Sequence, residues 1–225
     1  MIQEAIQALR SSHFVLIHDD KGRENEIDMV IGGEKISPEH IAVMRKDGGG
    51  LICLAISHDF AFKLGLTYMQ NILQAVSSIN PVFAKLTSGK SPYGDDPSFS
   101  IAINHRDTYT GITDFDRALT ISKMSEICKR IDTGGINEFA NSFRAPGHVP
   151  ILIASKKLLQ DRTGHTELCI YLAQLANLTA AVVICEMLDN ETHRALSITN
   201  AKTYSTKYQI PLIEADELRA CAKVA

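Results

Sequence analysis

Three carboxylates stand at every second position near the amino terminus of this chain. Glu24, Glu26 and Asp28 follow an acidic entry at Asp19 and Asp20. Period-two spacing places alternate side chains on the same side of an extended segment, so we expect the three to crowd together with the entry close behind. A divalent ion such as Mg²⁺ or Mn²⁺ would compensate this charge, because hard cations prefer oxygen ligands. The alternative is a solvated acidic turn.

A second chemical group lies where a loop meets an apolar-faced helix, at residues 162–167 (RTGHTE). A helix start has free backbone N–H groups and the positive end of the helix dipole, and both favour an anion. The residues that could contribute are Arg162, Thr163, Gly164, His165 and Thr166. Their guanidinium and hydroxyl groups predict a phosphate site. The alternative is that Thr163 and Thr166 only cap the helix while Arg162 makes a surface salt bridge.

Two single side chains stand at the ends of predicted strands. His148 follows a Pro-Gly turn and precedes the strand 149–154, and Glu186 directly follows the buried run 181–185. A carboxylate at the end of a core strand usually has a partner or a function, and ligands collect beyond the carboxyl ends of strands in covered sheets. Glu186 is therefore favoured as a functional residue over a structural ion pair. Taken alone, His148 is more often an ordinary loop histidine.

The segment from Tyr109 to Arg117 predicts a turn that opens a helix. This turn could hold a second set of anion donors at the amino end of that helix. Ordinary capping by Thr113 or Asp114 is the preferred interpretation, unless a partner subunit brings the element to the site.

Helices and strands interleave along the chain without strict alternation. Helices are predicted over 2–9, 38–47, 58–64, 114–129, 166–176 and 199–208 and from residue 214 or 215 onward. Strands are predicted over 13–17, 26–31, 51–56, 99–103, 149–154 and 181–185, and a long irregular connection over 80–97. The pattern predicts an α+β fold, a single three-layer domain over 1–225 with a mixed β-sheet covered by helices on both faces.

Composition excludes several classes of protein. The net charge is −3 without Lys/Arg runs, which argues against nucleic acid or an anionic membrane as partner. No apolar run reaches the roughly 18 residues of a membrane span, and the amino terminus does not resemble a secretory signal. The five cysteines form no C-x-x-C pair, and no Walker or G-x-G-x-x-G loop is present. We therefore expect a cytoplasmic protein.

Several of these motifs occur together in one known family. RENEID, SPYGDDPSFSIAIN, TGITDFDRALTI, FRAPGH, RTGHTE and VICE, in this order, resemble 3,4-dihydroxy-2-butanone-4-phosphate synthase of riboflavin biosynthesis, in its monofunctional form. The resemblance implies that ribulose 5-phosphate is converted into formate and a four-carbon dihydroxybutanone phosphate. It also implies a homodimer with sites near the interface, and Mg²⁺ or Mn²⁺ as cofactor, with two divalent ions when substrate is bound. The second, zinc-containing domain of bifunctional relatives is not expected.

The resemblance also implies roles for individual residues. Glu24 and His165 correspond to metal ligands, and His148 and Glu186 to catalytic residues. The implied substrate contacts are Arg23, Glu24, Asp28, Thr110, Thr113, Arg162, Thr163, Gly164, His165, Thr166 and Glu186, with the turn from Thr110 to Thr113 supplied by a neighbouring subunit. One position departs from the family pattern: Ile27 stands where many relatives have glycine. A β-branched residue is stiffer there, which bears on how the acidic loop closes.

Two other functions use parts of the same pattern. A metal-dependent isomerase or aldolase acting on a phosphosugar would use the same acidic loop and phosphate segment but release no formate. The tRNA threonylcarbamoylation proteins share a similar fold, but they need a basic surface to hold RNA, and the net charge of −3 argues against one.

Overall fold

A seven-stranded mixed β-sheet is the centre of the molecule, which the computed structural model describes over residues 1–223. The strands are β1 (Val15–His18), β2 (Ile27–Gly32), β3 (Cys53–Ile56), β4 (Phe99–His105), β5 (Phe143–Ile153), β6 (Ala181–Glu186), β7 (Leu188–Asp189), β8 (Arg194–Ala195) and β9 (Leu212–Glu214). The helices are α1 (Ile2–Arg10), α2 (Pro38–Val43), α3 (His58–Lys63), α4 (Met69–Ala75), α5 (Val82–Leu86), α6 (Asp114–Lys129), α7 (Gly135–Ser142), α8 (His165–Leu175), α9 (Ile198–Tyr208) and α10 (Ala215–Ala222). The sheet order is β4-β5-β3-β6-β2-β1-β9, and β7 and β8 form a separate hairpin.

Helices cover both faces of this sheet. On one face, α2, α6 and α9 contribute Ile41, Met124 and Ala201 to a large hydrophobic core. On the other face, α1, α8 and α10 enclose a second core that includes Leu168 and Leu218. The inner strand β3 is buried along its whole length, which explains its unbroken apolar sequence. The predicted α+β fold with a mixed sheet between two helical layers is confirmed.

Three helices were not predicted from the sequence. α4 follows the predicted helix 58–64, α5 lies inside the stretch predicted to be an irregular connection, and α7 lies between α6 and β5. None of the three buries a large apolar side chain, so no core periodicity marks them in the sequence. Within residues 1–223, no helix has both the length and the apolar character that a membrane crossing requires.

β5 begins six residues earlier than the predicted strand 149–154. The added part pairs with the end of β4, where Arg144 lies opposite Asn104. Because Val149 already lies opposite Ile103, residues 145–148 bulge out of the ladder between these two pairs. The Pro-Gly turn predicted there is therefore a bulge within a strand.

The helix starts follow their sequence signals with one exception. Ser37, Ser57 and Thr113 each accept a hydrogen bond from the first turn of α2, α3 and α6. Thr166 does not cap α8, because that helix already begins at His165 and its N-cap is Gly164. The prediction of a threonine cap at this helix was wrong.

Candidate active site

A cavity of about 190 Å³ opens where β2 begins and β6 ends, beside the start of α8. Its lining residues are Glu24, Glu26, Asp28, Tyr93, Pro97, Ser98, Phe99, Leu152, Arg162, His165, Thr166, Ile184 and Glu186. Six predicted site residues from three distant parts of the chain thus meet around one space. They are Glu24, Asp28, Arg162, His165, Thr166 and Glu186.

Antiparallel pairing of β2 with β6 places Asp28 directly opposite Glu186. The Asp28 side chain is buried, and among the described residues its Oδ1 atom has no hydrogen-bond partner. Glu186 Oε2 accepts a hydrogen bond of 2.7 Å from the backbone N–H of Leu51. Gly50 permits this approach, since a Cβ at that position would collide with the Glu186 side chain. Two carboxyl groups therefore face one cavity from neighbouring strands.

The acidic loop folds around the buried carboxylate of Asp19. Asp19 accepts hydrogen bonds from the backbone N–H groups of Glu24 (3.4 Å) and Glu26 (3.2 Å). Asn25 has a φ of +54°, so the segment is not extended and the period-two explanation is wrong for Glu24. The carboxylates still converge, because the turn returns Glu24 to the cavity. Asp20 faces away from it and pairs with Arg219 at 2.9 Å.

His165 lies at the centre of the carboxylate cluster. Its Nδ1 atom is 3.1 Å from Glu24 Oε2, 3.7 Å from Asp19 Oδ2 and 4.0 Å from Asp28 Oδ2. Its Nε2–H donates to the backbone carbonyl of Glu26 at 3.2 Å. Burial lowers the pKa of His165, but the surrounding carboxylates outweigh it and raise the pKa to about 10. The imidazole is thus held in one orientation with Nδ1 directed at the acidic groups.

The carboxyl groups around His165 have opposite pKa shifts. Burial raises the pKa of Glu24, yet hydrogen bonds from His165 and Tyr93 outweigh it and lower the pKa to about 2. Burial also raises the pKa of Asp28, and with the negative charges of Glu186 and Glu26 nearby it reaches about 7 despite His165. Glu24 is therefore ionised at neutral pH, whereas Asp28 holds a proton part of the time.

This donor set fits a hard divalent cation. Asp19, Glu24 and His165 each offer one ligand atom, and these three atoms lie within 4.8 Å of one another. A histidine that binds metal through one ring nitrogen usually donates its other N–H to a carbonyl or carboxylate, as His165 does to Glu26. A positive group nearby would also stabilise the buried Asp28 Oδ1 atom, which has no hydrogen-bond partner among the described residues. Asp19 was seen in the sequence as part of the acidic entry but not as a candidate ligand.

Two arginines lie beside the carboxylate cluster, and one of them, Arg162, lines the cavity. Arg162 contacts Ser98 Oγ and lies 3.6 Å from Glu167, and Arg23 lies 3.1 Å from Asp19. Both arginines also donate to one oxygen of Asp95. The α8 amino terminus lies beside them at Thr166, and its free N–H groups add to the attraction for an anion. The predicted phosphate segment therefore points its charge into the cavity.

Arg23 packs against the backbone at the start of α8. Its guanidinium lies 4.8 Å from the ring centre of Tyr93, a cation–π contact. A Cβ at Gly164 would come within 3.0 Å of the guanidinium nitrogens, so glycine there allows the arginine to lie flat on the helix start. Arg23, Thr163 and Gly164 are close to the cavity without being among its lining residues.

His148 lies outside this cavity, as do Thr110 and Thr113. The His148 backbone N–H donates to Asn104 Oδ1 at 2.8 Å, and Asn104 Nδ2 donates to the Thr110 carbonyl at 3.4 Å. Gly111, with a φ of +94°, has its backbone against Asn104 where a Cβ would not fit. The bulge of β5 and the turn before α6 are thus one connected unit, away from Glu186 in the same chain.

Backbone N–H groups of the turn before α6 are bound to one carboxylate. The N–H groups at Thr110 and Gly111 donate to the Asp116 carboxylate at 3.2 and 2.8 Å. Thr113 accepts from the Asp116 N–H at 3.1 Å and caps the helix. The preferred interpretation of ordinary capping is confirmed for Thr113. Asp116 binds the N–H groups of Thr110 and Gly111, so these two donors are not available to an anion.

Four residues have contacts at the cavity or with the arginines that were not predicted from the sequence. They are Glu26 as the carbonyl partner of His165, and Tyr93, Asp95 and Ser98 around the arginines. The last three belong to the SPYGDDPSFS motif, so their place in the resemblance was the available signal.

The fold and the site together define a class of α+β enzymes in which a carboxylate–histidine cluster and a pair of arginines lie side by side at one cleft. A family model for 3,4-dihydroxy-2-butanone 4-phosphate synthase matches residues 3–221. A relative of that description from Methanothermobacter thermautotrophicus is 44% identical over 218 residues, covering 97% of this chain and 94% of the relative. One from Archaeoglobus fulgidus is 43% identical over 213 residues, covering 94% and 90%. The chain belongs to the 3,4-dihydroxy-2-butanone 4-phosphate synthase family and is an enzyme.

More distant relatives agree with this assignment. Riboflavin biosynthesis protein RibBA from Staphylococcus aureus is 31% identical over 217 residues, which are 96% of this chain and 48% of that protein. The crystal structure of the synthase from Candida albicans has a TM-score of 0.76 at 28% identity, covering 98% of this chain and 96% of that one. A synthase in complex with two magnesium ions has the same fold, with a TM-score of 0.81 at 24% identity and coverage of 100% and 97%.

Proposed function

We propose that this enzyme converts D-ribulose 5-phosphate into L-3,4-dihydroxy-2-butanone 4-phosphate and formate. One observation carries the proposal: Glu24, His165 and Glu186 meet around a cavity that also contains Arg162 and the start of α8. The two products together contain all the atoms of the substrate, so the reaction needs no oxidant or reductant. The absence of a nucleotide-binding loop in the sequence agrees with such chemistry.

The substrate would lie across the cavity with its two ends in opposite environments. The phosphate would bind Arg162 and the backbone N–H groups at the α8 amino terminus. Glu24 and His165 would hold a divalent cation, Mg²⁺ or Mn²⁺, among the oxygens of the sugar. As the family resemblance implies, two such ions would be present when substrate is bound. When bound, such a cation stabilises developing negative charge on the carbonyl oxygen by several kcal/mol.

Proton transfers fall to the carboxyl and imidazole groups. Removal of the proton next to the carbonyl gives an enediolate, and the first hydroxyl then leaves as water, which needs a proton donor. Glu186 can accept and return a proton because one of its oxygens is fixed by Leu51 while the side chain lines the cavity. A positioned acid or base of this kind contributes about 10²–10⁴ in rate. A 1,2-shift of the carbon skeleton follows. One water molecule then adds to the carbonyl of the excised carbon, which leaves as formate, so that the water lost earlier is regained and the reaction balances.

A second copy of the chain would complete the site with His148. The bulge that carries His148 is joined through Asn104 to the turn at Thr110, so both elements would arrive together. Large apolar side chains on this turn are exposed in the single chain, which suits burial against a partner. They are Tyr109 (94%), Ile112 (52%) and Phe115 (69%). We propose a homodimer in which each cavity receives His148, Thr110 and Thr113 from its neighbour.

Release of formate tests the proposed reaction. The protein is incubated with ribulose 5-phosphate and Mg²⁺, and formate is followed by proton NMR. We expect formate and the four-carbon phosphate in equal amounts, and loss of both in His165→Ala. The matched control is His13→Ala, which changes an exposed histidine outside the cavity and should keep full activity. An aldose or a cleaved triose phosphate without formate would instead identify an isomerase or an aldolase.

Mixing two inactive variants tests the shared site. Glu186→Gln and His148→Gln are unfolded together and refolded as mixed dimers. If His148 comes from the partner, every heterodimer contains one intact site, and about a quarter of the wild-type activity returns because about half of the dimers are mixed. If His148 and Glu186 act within one chain, the mixture stays inactive.

A further inference from the structure

The carboxylate of Asp95 occupies the place between the two arginines. Its Oδ2 atom accepts hydrogen bonds from Arg23 Nε at 2.8 Å and from Arg162 Nε at 3.3 Å. Arg23 Nη2 approaches the same oxygen at 2.7 Å, but not in line, so among the described residues that N–H has no hydrogen-bond partner. One acidic side chain therefore neutralises part of the charge that would bind an anion.

Each arginine has contacts besides Asp95. Arg23 is also held by Asp19 at 3.1 Å and packs on Tyr93. Arg162 is also held by Ser98 and lies 3.6 Å from the buried Glu167. We therefore expect both guanidinium groups to keep their positions when the Asp95 carboxylate is removed.

The Asp95 carboxylate also has room to leave. It is 31% exposed, so rotation of the side chain is enough to separate it from the arginines. A second cavity of about 520 Å³ adjoins the first and is lined by Asp95, Arg162 and the cationic Lys90. A displaced carboxylate can therefore move toward another positive charge while the backbone stays in place.

We propose that Asp95 is an internal counter-ion that occupies the phosphate site of the free enzyme and must be displaced by the phosphate of the substrate. This inference rests on the proposed function, which places the phosphate at Arg162. Asp95 carries one negative charge, whereas a phosphate monoester carries close to two at pH 8. A dianion with several acceptor oxygens replaces the carboxylate at the arginines, and a neutral sugar cannot. Asp95 thereby acts as a specificity-determining residue that reserves the arginines for phosphorylated substrates.

Phosphate binding by charge variants tests the proposal. Inorganic phosphate is titrated at pH 8 by calorimetry into the wild-type protein, Asp95→Asn and Asp96→Asn. Asp96 is adjacent and exposed and has the same charge, so its variant controls for net charge alone. Because an occupied site lowers apparent affinity by the fraction of free sites, we expect Asp95→Asn to bind phosphate at least about fivefold more tightly than the other two. Equal or weaker binding by Asp95→Asn would overturn the proposal.

Turnover separates this proposal from the proposed function. In Asp95→Asn we expect the KM for ribulose 5-phosphate to fall with the phosphate Kd, and inhibition by inorganic phosphate to become stronger by a similar factor. A residue that merely orients the arginines would raise the KM instead, which contradicts the proposal. If formate fails to appear with the wild-type protein, the proposed reaction is wrong, whatever the three phosphate affinities are.

Discussion

His165 has to lose a proton before its Nδ1 atom can bind a metal ion. In the metal-free protein this nitrogen shares its proton with Glu24 at 3.1 Å, and the pKa of the imidazole is raised to about 10. The neutral form is then only ~1 in 300 molecules at pH 7.5, because each pH unit below the pKa lowers it tenfold. Apparent metal affinity follows the neutral fraction. We therefore expect about tenfold tighter Mn²⁺ binding for each pH unit from 6.5 to 8.5, or about a hundredfold in all.

Two measurements check this expectation. Mn²⁺ affinity is followed by electron paramagnetic resonance across the pH range, and calorimetry in buffers of different ionisation enthalpy counts the protons released. Glu24 contributes none, since its pKa is about 2. The variant Asp28→Asn removes the second titrating group, whose pKa is about 7. It also lowers the pKa of His165, because Asp28 contributes most to raising it, but Glu24 and Asp19 remain to favour the protonated imidazole. His13→Gln, at an exposed position, should release the same number as the wild type. A pH-independent affinity with no proton released would remove His165 Nδ1 from the metal site.

Three further outcomes follow from the same geometry. Metal affinity should rise about tenfold or more when ribulose 5-phosphate is present, because Mg²⁺ keeps few protein ligands and the sugar oxygens complete its shell; equal calorimetric affinities with and without sugar would contradict this. Arg162→Ala should raise the KM by roughly tenfold or more through loss of the phosphate contact. The control variant Arg130→Ala removes an exposed arginine paired with Glu138 and should leave the KM unchanged. An unchanged KM in Arg162→Ala would show that the anion binds elsewhere. Asp28→Asn should stabilise the metal-free protein by about 2–4 kcal/mol at pH 8. The reason is that a carboxyl group with a raised pKa destabilises the folded protein fully above a pH of about 7, and not at all below the ordinary pKa of 3.8. The gain in melting temperature should therefore shrink toward pH 5, and a gain that grows toward pH 5 would contradict this prediction.

Six of the seven strands of the main sheet, all but β9, and most helices could be predicted from local patterns because burial repeats with a fixed period. β6 and α8 are examples, since both carry continuous or periodic apolar sequence that leads directly to Glu186 and His165. The exposed helices α4, α5 and α7 could not, because a helix that buries no large side chain leaves no such pattern. Local sequence thus located the candidate residues on their elements, but not the surface helices between them.

The convergence of the carboxylates was predicted for the wrong reason. Alternation along an extended segment accounts for Asp28, which does lie in β2, but Glu24 reaches the cavity through a turn with Asn25 at positive φ. That turn is stabilised by Asp19, which accepts hydrogen bonds from the backbone N–H groups of Glu24 and Glu26. The spacing of these residues in the sequence does not predict the two hydrogen bonds. The pairing of β2 with β6, which places Asp28 opposite Glu186, is a long-range contact, and local patterns in one sequence do not determine it.

Charged groups of opposite sign line different parts of the cavity. Its acidic side contains Glu24, Glu26, Asp28 and Glu186, and its basic side begins at Arg162 and continues into the α8 amino terminus. Reversal of a phosphosugar would place the phosphate among carboxylates, where like charges repel in a partly buried site. In the proposed binding mode, the hydroxyls and the carbonyl would therefore lie at the carboxylate and histidine side, where the proton transfers would occur.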